Sequence, residues 1–329
     1  MTQNKFNKLS ASAKRGDAEA MYKLALSYKN GEGIEKDVEQ FFEWIKEAAN
    51  AGNADAMIEL GLAYKDGISI LPEGTKRYPD DLQQPDSNAS LEWVEKSANL
   101  GNAKAMYELA LAYRDGDGIE PNIDEFFEWI RKSAETRYPD AMRELAVAYR
   151  DGVNTLPEDT KRYPDDSQTP DIDRYVEWLQ EAVKLNDKEA LYLLAVAYKD
   201  GTGVQANDNQ FFRLMKRAAQ RGYLDAMYDL AFAYREGTGT RRSSEYFFKW
   251  LKEVVDYTPK EVVDRSQKEA AERVQRDAML HLAFAYKNGD GGTSPNIKLF
   301  VEYLKKAADA GQKDAMFHLA IVYRDREEK

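Results

Sequence analysis

Residues 20–31 read AMYKLALSYKNG, and the same sentence recurs seven more times. The pattern is alanine, Met or Leu, two variable residues, leucine, Ala or Gly, an apolar residue, one variable residue, tyrosine and then Lys or Arg. Its leading alanines are Ala20, Ala56, Ala105, Ala141, Ala190, Ala226, Ala278 and Ala315. Successive copies are separated by 36, 49, 36, 49, 36, 52 and 37 residues, and a period of this size marks supersecondary units that bury their apolar faces by stacking. Within the first copy Ala20, Met21, Leu24, Ala25 and Tyr28 share one face at the helical period. Gly31 stops the helix, because glycine enters the left-handed conformation that closes a helix without steric cost. Seven of the eight copies carry that glycine.

A second helix follows in each unit, first as FFEWIKEAANAG, with Phe41, Ile45, Ala48 and Ala49 on one side and Gly52 as its stop. Small residues sit where helices approach closely, and bulky Phe and Trp fill the wider gap. FNKLSASAKRG at the start reads as a worn second helix, a cap over 4–15 with Phe6, Leu9 and Ala13. The alternation of long and short spacings makes the true repeat a two-unit block, starting near 18, 103, 188 and 276. The added length falls in loops over 68–88 and 153–173, each with three prolines and sharing TKRYPDD. In the third block it comes after the second helix instead, where Thr258, Pro259 and Glu261 predict an additional helix over about 259–275. The expected architecture is all-α, one solenoid domain of stacked helix-turn-helix units over 1–329.

Composition narrows the function. With 32% charged residues and no apolar run near the roughly 18–20 residues that span a bilayer, no membrane association is expected. The first residues lack the apolar core of a secretory signal, so a cytoplasmic protein is the default. Cysteine is absent, which removes thiol catalysis, thiolate metal sites and disulfides. A net charge of -11 repels phosphate backbones and argues against nucleic acid as a partner.

The order Leu-Gly/Ala-x-x-Tyr, Gly-x-Gly, and Trp followed by Lys-Ala-Ala resembles the Sel1-like repeat (SLR) family, a relative of the tetratricopeptide repeats. The resemblance covers nearly all of residues 5–326. It is carried by Leu60-Gly61, by the pairs Gly31/Gly33, Gly116/Gly118, Gly201/Gly203 and Gly237/Gly239, and by Trp44, Trp93, Trp129, Trp178 and Trp250. Where the family usually has a small residue three before that Trp, this chain has Phe41, Phe126, Tyr175, Phe211 and Phe247. The resemblance implies an α-α superhelix, a right-handed solenoid, and a non-enzymatic scaffold or adaptor that assembles other proteins, often in bacterial systems.

A second face of each first helix is left unexplained by the core. Tyr22, Leu26 and Lys29 stand at i, i+4 and i+7, and the face repeats with Lys65, with Tyr107 and Arg114, with Arg150, with Tyr192 and Lys199, and with Tyr228 and Arg235. The last position is basic in all eight copies, and an acidic residue or Asn follows it each time. One reading is a concave wall for a protein or peptide with an acidic edge. The other is that the cation suits the helix C-terminus and the apolar row is packing. The TKRYPDD loops offer Arg77 and Tyr78, then Arg162 and Tyr163, either as paired partner sites or as loops tucked onto the helices after a duplication.

Other signals carry less. The Gly-x-Gly pairs lack the Lys-Ser/Thr of a phosphate loop. DGDGIEPNIDE at 115–125 has its glycine at the wrong place for a calcium loop. His281 and His318 fall in the same slot of neighbouring copies, without repeated partners for a metal. No catalytic residue, metal or cofactor is therefore expected. Besides a scaffold, the alternatives are an immunity or inhibitor protein that wraps a toxin or effector, and a hydrolase using loop carboxylates.

Overall fold

The structure is a computed structural model describing residues 3–66, 85–151, 170–258, 265–290 and 294–327. Among the described residues every regular element is a helix. The chain divides into two units, Met1–Tyr175 and Val176–Lys329.

The first unit opens with α1 (Gln3–Ala13), slightly shorter than the cap read from sequence. Three helix pairs follow: α2 (Ala18–Asn30) with α3 (Val38–Asn50), α4 (Ala54–Asp66) with α5 (Ser87–Asn99), and α6 (Ala103–Asp115) with α7 (Ile123–Glu135). α8 (Pro139–Asp151) comes next, and α9 (Ile172–Lys184) runs across the division between units. The second unit pairs α10 (Lys188–Asp200) with α11 (Asp208–Gln220), α12 (Leu224–Glu236) with α13 (Ser244–Val255), and α14 (Arg265–Asn288) with α15 (Ile297–Asp309), before α16 (Lys313–Glu327). Within each unit the helices pack on their neighbours in sequence, from α1 to α8 and from α10 to α16, the contact pattern of stacked repeats.

The packing follows the apolar stripes. In the first unit Leu24, Ile45, Ala48 and Ala49 are fully buried, and in the second Leu251, Ala278, Leu282 and Leu304 are. Alanines at these positions let backbones approach, while Phe42 and Phe127 fill the gaps between pairs. Gly31, Gly116, Gly201 and Gly237 cap their helices in the left-handed conformation, each donating its N–H back into the last turn.

One tether recurs in every pair. The backbone N–H of the residue capping the second helix donates to the carbonyl of the first-helix tyrosine, as in Asp37 to Tyr28 and Asn207 to Tyr198. Asp86 to Tyr64 and Asp171 to Tyr149 make it at 2.8 Å across the two long insertions, so a long connection returns the chain to the same point as a short one. The insertions themselves, with TKRYPDD, lie outside the described residues, but their predicted ends do not. Residues 87–88 and 172–173, read as loop, are helical, because Asp86 and Asp171 accept the N–H of Ala89 and Arg174 as N-caps.

The additional helix expected over 259–275 differs more. From Arg265 it runs without a break into the first helix of the seventh repeat, giving the 24-residue α14, while 259–264 lie outside the described residues. Gln275, inside it, donates to the carbonyls of Val254, Val255 and Tyr257 and so closes the end of α13.

Candidate functional site

The face carrying Tyr22, Leu26 and Lys29 is built the same way in every first helix. Its middle row is apolar and partly exposed throughout: Leu26, Leu62, Leu111 and Val147 in the first unit, Val196, Phe232, Phe284 and Ile321 in the second. A core position would be sealed. Leu24, two residues earlier and on the far side of the same helix, is 0% exposed.

The tyrosine row lies at the seams between repeats. Tyr107 packs on Tyr138 of the next repeat with ring centroids 5.6 Å apart, and Tyr192 packs on Tyr223 at 5.1 Å. Tyr192 also donates its hydroxyl to Asp229 at 3.2 Å. Burial, helped by nearby carboxylates, pushes Tyr22 and Tyr228 up to about 12, and moves Tyr107 and Tyr192 upward as well. These hydroxyls stay protonated and so keep a proton to donate, as Tyr192 does to Asp229.

The basic row is engaged on two sides. Toward its own repeat, each of several cations stands over the aromatic ring that opens the second helix: Lys29 over Phe41 at 5.2 Å, Arg150 over Tyr175 at 5.7 Å, Lys199 over Phe211 at 5.5 Å and Arg235 over Phe247 at 5.5 Å. Four of the five rings that depart from the family pattern, Phe41, Tyr175, Phe211 and Phe247, are thus platforms of the cation row. Toward the next repeat, Lys29 meets Glu59 at 2.9 Å, Lys65 meets Glu108 at 3.6 Å, and Arg114 pairs with Glu144. Arg114 and Arg150 also hold the aspartate that follows them, at 2.7 and 2.5 Å, and these bonds raise both guanidinium pKa values further.

The partner carboxylates Glu59, Glu108, Glu144 and Asp229 were not anticipated. Each lies three residues after its leading alanine, and it meets the cation only when one repeat stacks on another. A second set was also missed: the residue before the leading alanine is acidic in seven copies. It accepts from the cap of the following repeat, as Glu19 does from Asn53 at 3.0 Å and Asp55 from Asn102 at 2.7 Å.

The second repeat breaks the pattern. Ser90 replaces the platform ring, and Gly61, whose absent Cβ would fall 2.9 Å from Val94, lets α4 and α5 close up. Lys65 turns to Glu108 and Asp117, and Ser87 donates to Asp117 at 2.7 Å. The cleft left there has room for no more than about one water.

The opposite face, on the second helices, is organised within each helix. Lys96 and Lys132 lie 4.4 and 4.2 Å from the rings of Trp93 and Trp129, and pair with Glu92 and Glu128 four residues earlier. Arg77, Tyr78, Arg162 and Tyr163 lie outside the described residues. Among the described residues no group of three or more His, Asp and Glu is placed to hold a metal, and no helix is long and apolar enough to cross a membrane.

A family model described as Sel1 repeat matches residues 18–53, 54–102, 103–135, 139–162, 188–223, 224–253 and 276–312. No curated protein matches. Among the solved structures that share the fold are two that cover most of this chain. A Sel1 repeat protein from Oxalobacter formigenes superposes with a TM-score of 0.62 at 22% identity, over 89% of this chain and 100% of that one. The Escherichia coli protein c5321, described as a protective antigen of uropathogenic strains with an SLR fold, superposes with a TM-score of 0.61 at 21% identity, over 97% of this chain and 67% of that one.

Proposed function

Because this chain belongs to the Sel1 repeat family, whose members commonly serve as protein-interaction scaffolds, we propose that it is a non-enzymatic scaffold binding a protein or peptide along the first-helix wall. The observation that carries this reading is the apolar row from Leu26 to Val147, and again from Val196 to Ile321, left partly open in every repeat of each unit. An apolar strip flanked by fixed charges suits an extended or helical guest. The basic row contributes less net charge than its sequence promises, since carboxylates of the next repeat meet much of it. Tyr22, Tyr107, Tyr192 and Tyr228, with Lys29, Lys65, Arg114, Arg150, Lys199 and Arg235, are the proposed contact residues, and the TKRYPDD residues Arg77, Tyr78, Arg162 and Tyr163 a second proposed set. The reading takes residues 1–329 as one repeat domain in the cytoplasm. It rests there on the unbroken repeat and the cysteine-free sequence.

Site-specific photocrosslinking tests it. A benzophenone side chain placed at Leu62, Leu111 or Phe232 is expected to give partner adducts in lysate of the source cells, and one at Glu92 or Glu128 to give none. Adducts confined to the second-helix positions, or absent from both sets, overturn the reading.

A further inference from the structure

The cations of the wall do not meet the same neighbour throughout. In the first unit the facing position in the next repeat holds Glu59, Glu108 and Glu144, which close on Lys29, Lys65 and Arg114. In the second unit Asp229 lies within electrostatic reach of Lys199. At the last two junctions the same position holds His281 and His318, the two histidines of the chain.

Both imidazoles are placed alike. His281 stands edge-on to Phe232, 4.9 Å away at 82°, and His318 stands edge-on to Phe284, 4.9 Å away at 83°. The same two rings carry the cations, with Arg235 4.2 Å over Phe232 and Lys287 5.9 Å from Phe284. Each junction therefore holds a cation, a phenylalanine and a histidine where the first unit has a cation, a leucine and a glutamate. An imidazole, unlike a carboxylate, carries no negative charge to offer the cation. Arg235 has the carboxylate of its own neighbour Glu236 at 3.2 Å, an exposed pair of the kind that binds weakly and leaves the guanidinium open to a competitor. Phe317, 65% exposed, adds an apolar side chain to the same face at the position Tyr22 holds in the first repeat.

We propose that the wall of repeats six to eight binds an acidic segment bearing aromatic or aliphatic side chains, whose carboxylates occupy the place that glutamates fill in the first unit. This rests on the wall being the binding face. The guest's apolar residues lie along Phe232 and Phe284, and its carboxylates reach the guanidinium of Arg235 and the ammonium of Lys287 beside those rings. Charge complementarity selects the guest: the cations there are raised on aromatic platforms and the intrinsic acid is replaced.

The test uses the full chain and two fluorescein-labelled synthetic peptides, three repeats of Glu-Phe-Glu-Leu and three of Lys-Phe-Lys-Leu, read by anisotropy and by side-chain footprinting. The acidic peptide is expected to bind, with protection at Phe232 and Phe284. The double variant His281→Glu/His318→Glu, which installs the missing carboxylates, is expected to weaken it about tenfold or more while keeping its helix content. Should that variant fold poorly, Lys287→Gln, at an exposed side chain, gives the same expectation. Unchanged affinity in the folded variant, preference for the lysine peptide, or no binding of either overturns the inference. If a peptide binds and protects only other parts of the first-helix wall, this inference falls and the proposed function stands. If protection appears on Trp93 and Trp129 alone, both fall.

Discussion

Replacing Gly239 by alanine separates two roles that glycine plays in the Gly-x-Gly turns. The backbone there has φ +65°, and a Cβ would sit 1.9 Å from the carbonyl oxygen of Asp208, 2.6 Å from its carbon and 2.8 Å from the Cβ of Phe212. Restoring ordinary contact means moving the turn away from the start of α11 by about 1.5 Å or more. The left-handed conformation costs an alanine about 1–2 kcal/mol, and forcing an atom into packed backbone adds about 1–3 kcal/mol. Gly222 is the control: φ is +82° and nothing lies within 4 Å of its missing Cβ, so Gly222→Ala carries the conformational cost alone. Gly239→Ala is therefore expected to be less stable than Gly222→Ala by about 2 kcal/mol. Urea unfolding followed by circular dichroism gives the totals. Amide exchange localises the loss to α11, α12 and α13, since repeat arrays open segment by segment. Equal destabilisation by the two substitutions would refute the close approach as the reason for the second glycine.

Further outcomes follow from the same geometry. Burial first, and Arg235 second, hold the His281 pKa below its ordinary value, with Asp277 opposing. The unfolded chain then takes up a proton near pH 6.5 that the folded chain resists, so stability falls as pH drops through that value. Urea midpoints at pH 7.5 and 5.5 should show wild type losing ground to His281→Gln on acidification. The raised carboxyl pKa values of Asp225 and Asp229 act in the opposite direction and cancel in that difference. Ser133, fully buried, donates to the Ala103 carbonyl at 2.7 Å, and Ser133→Ala should cost about 1 kcal/mol in urea unfolding. Gln275→Ala removes the 2.8 Å bond to the Tyr257 carbonyl and should speed amide exchange in the last turn of α13, leaving α11 unaffected.

The repeat and its helices were legible because they depend on short-range pattern: Ala20, Leu24 and Tyr28 fix a face, and Gly31 fixes its end. The wall was legible as rows, since Leu26 and its counterparts recur at a fixed offset. Its electrostatics were not, because the partner of Lys29 is Glu59, 30 residues away, and only stacking brings them together. The need for Gly239 was not legible for the same reason, since it arises from Asp208 in another element. The fused α14 escaped because Thr258-Pro259 gives a start signal, while nothing between the two helical patterns signals a stop. The histidines were noticed as sharing a slot, yet what that slot does became visible only from the glutamates in its other copies.

Which face meets a partner decides the function. Hydroxyl-radical footprinting of the chain alone and in complex, with side-chain resolution, answers this directly. Leu62, Tyr107, Leu111, Phe232 and Phe284 should lose reactivity on binding while Trp93 and Trp129 keep theirs. Protection of those tryptophans with the first-helix residues unchanged would contradict it.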